Sequence, residues 1–199
     1  MKKRHTPTGF TLVEIIVVLV VLAILAAFTI PAMLGFVEDA RSKAAIATAR
    51  EIYVASQGAA TELIGTIDKM PINNNEADGD YAQLRKDLGT KIIGYVSGDV
   101  SFTFGSLRGN STKNVLDVSL ANSQFTYPFT KEDYLPQNEG CCLVLIGGRD
   151  ETERAEQVKV RLVSYVDDTG KYRVTIKVND KKGSESETVV QKKVGNSWQ

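Results

Sequence analysis

The sequence predicts an α+β protein in which a long N-terminal α-helix packs against an antiparallel β-sheet head. Two patterns lead to this fold class. Apolar residues recur at helical spacing in the first third of the chain, and most of the remainder consists of short β-branched or aromatic runs between turn residues. The composition, 43% hydrophobic and 24% charged over 199 residues, is that of a globular protein and excludes disorder throughout.

The helix begins in a segment that predicts a membrane span. Three basic residues, Lys2, Lys3 and Arg4, precede a run from 15 to 37 that contains no ionisable side chain. At ~1.5 Å of rise per residue, a helix of this length spans ~30 Å, the thickness of the hydrocarbon core of a bilayer. Because basic residues favour the cytoplasmic side, we expect the N-terminus in the cytoplasm and the bulk of the chain outside the membrane.

An ordinary secretory signal peptide, cut after small residues such as Ala26 and Ala27, is the simplest alternative. Three features count against it. The apolar run is longer than the ~7–15 residues of a signal-peptide core. A glutamate, Glu14, stands at the entrance of the run, and the helical pattern continues to about Ile64, beyond the point where a signal would be removed.

The residues from Gly9 to Glu14, Gly-Phe-Thr-Leu-Val-Glu, resemble the processing motif of type IV pilins and type II secretion pseudopilins. The resemblance covers roughly the first 40 residues. It implies that a prepilin peptidase cuts between Gly9 and Phe10 and methylates the new amine of Phe10. It also implies that Glu14 is the glutamate through which subunits of this family assemble, and that Pro31 is the helix-breaking proline found in many of them.

The chemistry of the segment fits this role independently of the resemblance. A carboxylate inside hydrocarbon is costly, but Glu14 lies near the start of the helix, where unpaired N–H groups and the helix dipole favour a negative charge. Cleavage would free an amine on Phe10 that is mostly cationic at neutral pH. In a filament of staggered helices, this amine of one subunit would pair with Glu14 of a neighbour. A simple anchor whose Glu14 reaches the membrane interface is the alternative.

Two residues mark an expected weak point in the helix. Pro31 lacks an N–H group and clashes with the preceding turn, so at least one helical hydrogen bond is lost. Gly35 adds backbone freedom.

Beyond this point, from Ala40 to Ile64, an alanine-rich stripe predicts that the helix docks on the globular part. The stripe consists of Ala45, Ile52, Ala59 and Leu63.

The remainder predicts a short helix and a meander of strands. The helix is expected at Tyr81–Leu88, with Asp80 as its cap and Gly89 as its stop. Asp167 to Gly170 is expected to form a hairpin turn. The predicted strands are 92–96, 100–104, 115–120, 125–127, 142–146, 158–166, 172–178 and, as an edge strand, 188–194.

Catalytic and metal-binding constellations are missing from the predicted mature chain. The single histidine, His5, would leave with the leader, which removes histidine-dependent catalysis and histidine metal sites. The adjacent Cys141 and Cys142 are read as structural residues, with a vicinal disulfide and an intersubunit bridge as alternatives. The polar loop 73–80 resembles a calcium loop, but Arg85 stands where the twelfth-position glutamate is needed, so a solvated loop is expected. We therefore expect no cofactor and no metal.

The sequence thus predicts a structural subunit of a type IV pilus-like filament, not an enzyme. Its parts would be a leader (1–9), a transmembrane and polymerisation helix (10–37) and a globular head (38–199). The resemblance implies copies of itself and related pilins, the prepilin peptidase, the assembly machinery and membrane lipid as partners. It implies the cytoplasmic membrane before assembly and the cell surface afterwards, where cell adhesion is one role among motility, DNA uptake and secretion.

Other functions stay open beside this one. The nearest is a type II secretion pseudopilin, and a signal-anchored or secreted ligand-binding domain belongs to another class. Basic and acidic residues number 24 each, and removal of the leader would leave 21 basic residues. A nucleic-acid-binding protein carries a basic surplus, so we expect no nucleic-acid partner for the isolated head.

Processing at the glycine gives the first testable expectation. The intact mass of the protein isolated from membranes should correspond to loss of residues 1–9 and gain of one methyl group on Phe10. A mature terminus near Ala27 or Phe28 would instead identify an ordinary signal peptide.

Overall fold

The computed structural model describes residues 9–67, 79–96, 100–107, 113–120, 135–147, 154–178 and 186–199. Two compact units are present, Met1–Arg41 and Ser42–Gln199. The helices are α1 (Leu12–Ile64), α2 (Gly79–Tyr95) and α3 (Arg154–Gln157). The strands are β1 (Thr103–Phe104), β2 (Val115–Leu120), β3 (Cys142–Ile146), β4 (Val160–Val166), β5 (Tyr172–Lys177), β6 (Glu187–Val194) and β7 (Ser197–Trp198). The predicted α+β class is confirmed.

The first unit contains the apolar part of α1. Its large hydrophobic side chains are exposed, from 42% at Val37 to 85% at Phe10. Among the described residues, α1 is the one helix long and apolar enough to cross a membrane by length and composition, and an 18-residue window of it has a mean hydropathy of 3.0 with no part buried. A helix that is apolar all round belongs in lipid or among other helices.

In the second unit, α1 buries the alanine-rich stripe that the sequence predicts. Ala45, Ile52 and Ala59 are buried, and Leu63 packs half-buried against the same core. Small side chains on this face let the helix backbone come close to the residues beneath it. The core also takes the inward side chains of β2 to β5 and one face of α2.

The seven strands form one sheet in sequence order. Pairings from β3 to β7 are antiparallel, as expected. At the other end of the sheet, β1 pairs with β2 and β2 with β3 in parallel, which the predicted meander did not include. Parallel neighbours need a long crossover connection, and the chain between Leu120 and Cys142 is long enough to supply one.

The prediction for α2 was wrong at its C-terminal end. The helix runs past Gly89 to Tyr95 and takes in most of the segment 92–96, which was expected to be a strand. Ile92 is fully buried one turn after Leu88, so the apolar spacing there continues the helical period. Gly89 is required by packing, since a Cβ atom at this position would overlap the ring of Phe104.

Most of the remaining strands agree with the sequence, with shifts of a few residues at their ends. β1 covers only the end of the predicted strand 100–104, and residues 125–127 lie outside the described part of the chain. β4 and β5 are buried on both faces rather than one. Two hydrogen-bonded contacts involve their polar side chains: Ser164 hydrogen-bonds Thr175 at 3.0 Å, and Arg173 donates to Gln191 and stacks on Trp198.

Three turns interlock at one end of the sheet. Asn114, Gly140 and Gly170 all have positive φ, at 57°, 66° and 68°. The N–H of Asn114 donates to the carbonyl of Glu139 and the N–H of Gly140 to that of Asp167, both at 3.1 Å. A Cβ atom on Gly140 would overlap the Asn114 side chain, and one on Gly170 would lie 2.7 Å from Cγ of Glu139. These glycines are therefore needed both for their backbone angles and for the close approach.

At the β1 end of the sheet, side chains complete the edge. β1 pairs with only the first two residues of β2. Beyond it, Nε of Arg85 on α2 donates to the carbonyl of Val118, and the N–H of Leu107 donates to Oδ2 of Asp117 at 2.9 Å. Arg85 and Asp117 form a buried ion pair at 2.7 Å. Arg85 thus satisfies a carbonyl of β2 that the short β1 leaves open.

A single glutamine connects α1 to the backbone of the sheet. The side-chain amide of Gln57 donates to the carbonyl of Val158 at 2.8 Å, while its Oε1 atom accepts from the N–H of Val160 at 3.0 Å. These two bonds replace those that a neighbouring strand would form, because β5 ends at Lys177 and does not extend this far. α1 therefore takes part in the hydrogen bonding of the sheet as well as in its core.

Removal of this side chain should destabilise the head. We expect Gln57→Ala to lower the free energy of unfolding by about 1–3 kcal/mol, because the buried N–H of Val160 loses its acceptor. Gln83→Ala is the matched control, since its bond to Asp87 is exposed, and should cost less than about 0.5 kcal/mol. Urea unfolding in detergent, followed by the fluorescence of Trp198, measures both. Equal effects would show that the Gln57 bonds contribute little.

Candidate functional site

The start of α1 is held by a capping box between Thr11 and Glu14. The N–H and the hydroxyl of Thr11 donate to Oε2 of Glu14 at 2.8 and 2.7 Å, and the N–H of Glu14 donates back to Oγ1 of Thr11 at 3.3 Å. A Thr followed three residues later by Glu forms this motif because each side chain satisfies a backbone N–H that the first helical turn leaves open. The sequence predicts that the helix start favours the charge of Glu14, and the structure adds Thr11 as its partner in the capping box.

The capping box places the predicted cleavage point just outside the helix. Gly9 and Phe10 precede α1 in non-helical conformation, and the Phe10 side chain is 85% exposed. A Cβ atom on Gly9 would meet nothing within 4 Å. Among the described residues, nothing packs against Gly9, and the helix that follows begins at Leu12.

Only one oxygen of Glu14 takes part in the capping box. Both bonds from Thr11 reach Oε2, and among the described residues Oε1 accepts no hydrogen bond. The carboxylate can therefore bind a second donor without giving up its place in the box. The structure brings Gly9, Phe10 and Glu14 together at one helix end.

Pro31 and Gly35 lie farther along the same helix. Pro31 stands inside α1, which stays helical through both positions. A Cβ atom on Gly35 would meet nothing within 4 Å, so packing within the chain does not require a glycine there. Its contribution is backbone freedom, and the weak point stays a prediction.

The second half of α1 carries a shallow groove of about 510 Å³ on its outer side, lined by Tyr53, Val54, Gln57, Gly58, Thr61 and Glu62. Its carboxylate, Glu62, accepts hydrogen bonds from Lys91 and, at 2.5 Å, from the hydroxyl of Tyr95. These bonds lower the pKa of Glu62, and the same carboxylate raises the pKa of Lys91 and Tyr95. The effect is to keep Glu62 ionised and engaged with α2, which suits a clamp between helices better than an acid–base group.

Neither cysteine forms a disulfide, and both are fully buried. Cys142 contributes to the main core, and Cys141 immediately precedes β3. Burial raises the pKa of the Cys141 thiol, and burial reinforced by the charges of Cys141 and Asp117 raises that of Cys142 well above its ordinary value. Thiols in this state are poor nucleophiles and agree with the structural interpretation.

Metal binding finds no support in the part of the chain that the structure describes. There, no three His, Cys, Asp or Glu side chains lie close enough together to hold an ion. Most of the polar loop 73–80 falls outside the described residues, and its last two residues, Gly79 and Asp80, open α2.

Comparisons with known proteins point to the same end of the chain. Residues 5–30 match the family described as Prokaryotic N-terminal methylation motif. The type II secretion system core protein G of Vibrio cholerae is 50% identical over 46 residues, which is 23% of this chain and 32% of that protein. The match thus spans about a third of the length of this relative. No solved structure matches.

The predicted resemblance to type IV pilin-like proteins is confirmed by these two matches. The chain has the prepilin-type N-terminal segment, and pilins and pseudopilins carrying it are structural proteins. Pilus subunits and secretion pseudopilins share the segment, so it does not separate the two.

The buried thiols give a direct test of the head. At pH 8.5, near the ordinary pKa of a thiol, iodoacetamide should modify the urea-unfolded chain at both Cys141 and Cys142. The folded chain should react at least tenfold more slowly, because its thiols stay protonated and inaccessible. Mass spectrometry over time measures both rates. Fast modification of either cysteine in the folded chain would contradict the structural role.

Proposed function

We propose that this type IV pilin-like chain is a structural subunit of a helical filament, cut between Gly9 and Phe10 and polymerised through the first half of α1. The observation that carries the proposal is the exposed apolar surface from Phe10 to Val37. Exposed apolar surface of this extent requires a covering. Lipid would provide it before assembly, and the same segments of neighbouring subunits would provide it afterwards.

Glu14 gives this packing its register. It is the one ionisable side chain of the apolar segment, and the capping box holds its Oε2 atom while Oε1 stays available. The methylated amine of Phe10 in a neighbouring subunit would bind at Oε1. One apolar helix can slide along another at little cost, whereas a charge pair in a low-dielectric surrounding fixes one stagger.

The proposed order of insertion, processing and assembly follows from the division of the chain into an apolar helical segment and a head. The unprocessed chain would stand in the cytoplasmic membrane with its N-terminus inside, where the prepilin peptidase removes residues 1–9. The assembly machinery would then move the subunit from lipid into the filament. The head, 38–199, would stay outside and form the filament surface. An extracellular pilus is the form that we propose.

A type II secretion pseudopilin is the second candidate, because the Vibrio cholerae relative is a core protein of that system. The two functions differ in where the filament goes. Long sheared fibres that bind an antibody to the head would identify a pilus subunit, and label confined to the cell envelope would identify a pseudopilin. A ligand-binding or catalytic head would need a further site beyond those described above.

Substitution of Glu14 tests the proposal. Glu14→Ala should leave membrane insertion and leader removal intact, because the apolar run and the scissile bond are unchanged. Filament yield should fall at least 100-fold, since an unpaired amine buried between helices costs about 3–5 kcal/mol. Glu14→Gln should be nearly as poor, because the amide keeps the shape of the side chain without its charge.

Thr11→Ala is the matched control for this experiment. It removes the hydroxyl half of the capping box but keeps the carboxylate, so filament yield should stay within about threefold of the unmodified protein. Membrane fractionation, intact mass and sheared-filament yield are compared for all three variants. Normal filaments from Glu14→Ala would refute assembly through this carboxylate. An equal loss from Thr11→Ala would assign the effect to the helix cap.

A further inference from the structure

One edge of the sheet is open along β6. β6 pairs with β5 from Glu187 to Lys192, but its other side meets β7 only at Lys193 and Val194. The stretch Glu187–Gln191 therefore has no described strand on its outer side. At the opposite end of the sheet, by contrast, Arg85 binds the carbonyl of Val118, which the short β1 leaves open.

The hydrogen bonds of β6 show which backbone groups face outward. The N–H of Lys193 donates to Lys171, the residue that precedes β5, so the odd-numbered residues face β5. Lys192 exchanges hydrogen bonds with Gln199 on the opposite side, so the even-numbered residues face away. The N–H and C=O groups of Thr188 and Val190 consequently point out of the sheet, and both residues are exposed. No described residue bonds these four groups.

We propose that this open edge pairs with the same edge of a second copy of the chain, in antiparallel orientation and centred on Val189. Thr188 of each copy would then stand opposite Val190 of the other, and their outward N–H and C=O groups would form four hydrogen bonds. β7 limits the length of the contact, because Gln199 already occupies the position beside Lys192. The paired segment is therefore Glu187–Gln191, about the length of an average strand.

The charges of β6 favour this orientation. An acidic residue, Glu187, begins the strand, and two lysines, Lys192 and Lys193, follow the uncharged centre. In the antiparallel register, Glu187 lies opposite Gln191 of the second copy and diagonal to its Lys193. All three side chains are on the same face of the sheet. The two-fold symmetry repeats the Glu187–Lys193 pair at the other end of the contact. Side chains in diagonal positions are within reach of a long lysine. A parallel register would place like charges side by side.

The contact relates its two members by a two-fold axis, so it is closed and cannot repeat along a polar helical array. If the filament of the proposed function forms, the two heads must belong to different filaments. The open edge would then join filaments side by side. This last step rests on the proposed function, whereas the pairing of two heads does not.

Cysteine cross-linking tests the register. Opposed Val189 residues form a non-hydrogen-bonded pair with Cα atoms about 4.5 Å apart, within the range of a disulfide. Thr188 of one copy lies two residues out of register from Thr188 of the other, so their Cα atoms are about 8 Å apart, too far for a disulfide. Cys141 and Cys142 are buried and do not interfere.

We expect mild oxidation of the full-length Val189→Cys protein in membranes to give at least fivefold more covalent dimer than Thr188→Cys. Equal dimer from the two variants, or none from Val189→Cys, would overturn the proposal. The two substitutions are adjacent on one edge strand, where Thr188 is exposed and Val189 half-buried, and we expect little difference in expression or folding.

A second variant removes the backbone contact without touching the fold. Val190→Pro deletes only an outward N–H, since the inward bonds of β6 come from odd-numbered residues. In the Val189→Cys background it should reduce dimer at least fivefold, and Val190→Lys should do the same by placing a charge at the centre of the contact. Unchanged dimer in both would refute edge pairing.

Electron microscopy of the same strains separates this proposal from the proposed function. Val190→Pro and Val190→Lys should form filaments in normal yield that no longer lie side by side. Loss of filaments altogether from both would contradict a role confined to lateral contact. Absence of filaments from the unmodified protein would count against the proposed function. The cross-linking result would still decide whether two heads pair through β6.

Discussion

The head depends on how closely the second half of α1 can approach the sheet. Alanines at 45, 49, 55, 59 and 60 keep that face of the helix almost flat, and all five are buried in the core that α1 shares with the sheet. At this distance the carboxamide of Gln57 reaches the main chain of β4 and replaces a missing strand neighbour. A larger side chain in place of any of these alanines would move the helix outward and take Gln57 with it. The packing of the core, the position of α1 and the hydrogen bonding of β4 therefore depend on one another.

A second constraint acts at the start of the same helix, where Glu14 caps the helix and, in the proposed filament, also binds a cation. An isolated carboxylate next to an apolar segment is costly, and the capping box reduces this cost within a single chain by giving one oxygen two donors. The other oxygen keeps the capacity to recognise a cation. Such a carboxylate fits the proposed passage of the subunit from lipid into a filament, where the second oxygen would bind a cation.

Sequence reasoning predicted the elements that follow simple periodicities. The apolar run, the stripe at Ala45, Ile52 and Ala59, and β2 to β6 were all expected close to where they lie. The errors arose where tertiary contacts decide the outcome. The sequence predicts a helix stop at Gly89, because nothing in it shows that Phe104 packs on this residue. The parallel pairing of β1, β2 and β3 and the role of Gln57 depend on residues that are far apart in the chain. At the functional end, the motif and Glu14 were expected, but the bond to Thr11 was not.

The three interlocked turns at Asn114, Gly140 and Gly170 have a consequence for how the head can change over evolutionary time. Each turn is shaped around another, so an insertion in one of them disturbs all three. New loops can be accommodated more readily at the opposite end of the sheet, where the chain leaves β5 at Val178 and no described residue has a positive φ. Variation of this kind changes one face of the head while the rest stays constant. The head confines such variation to one pole, and insertion of foreign epitopes for display would meet least resistance there.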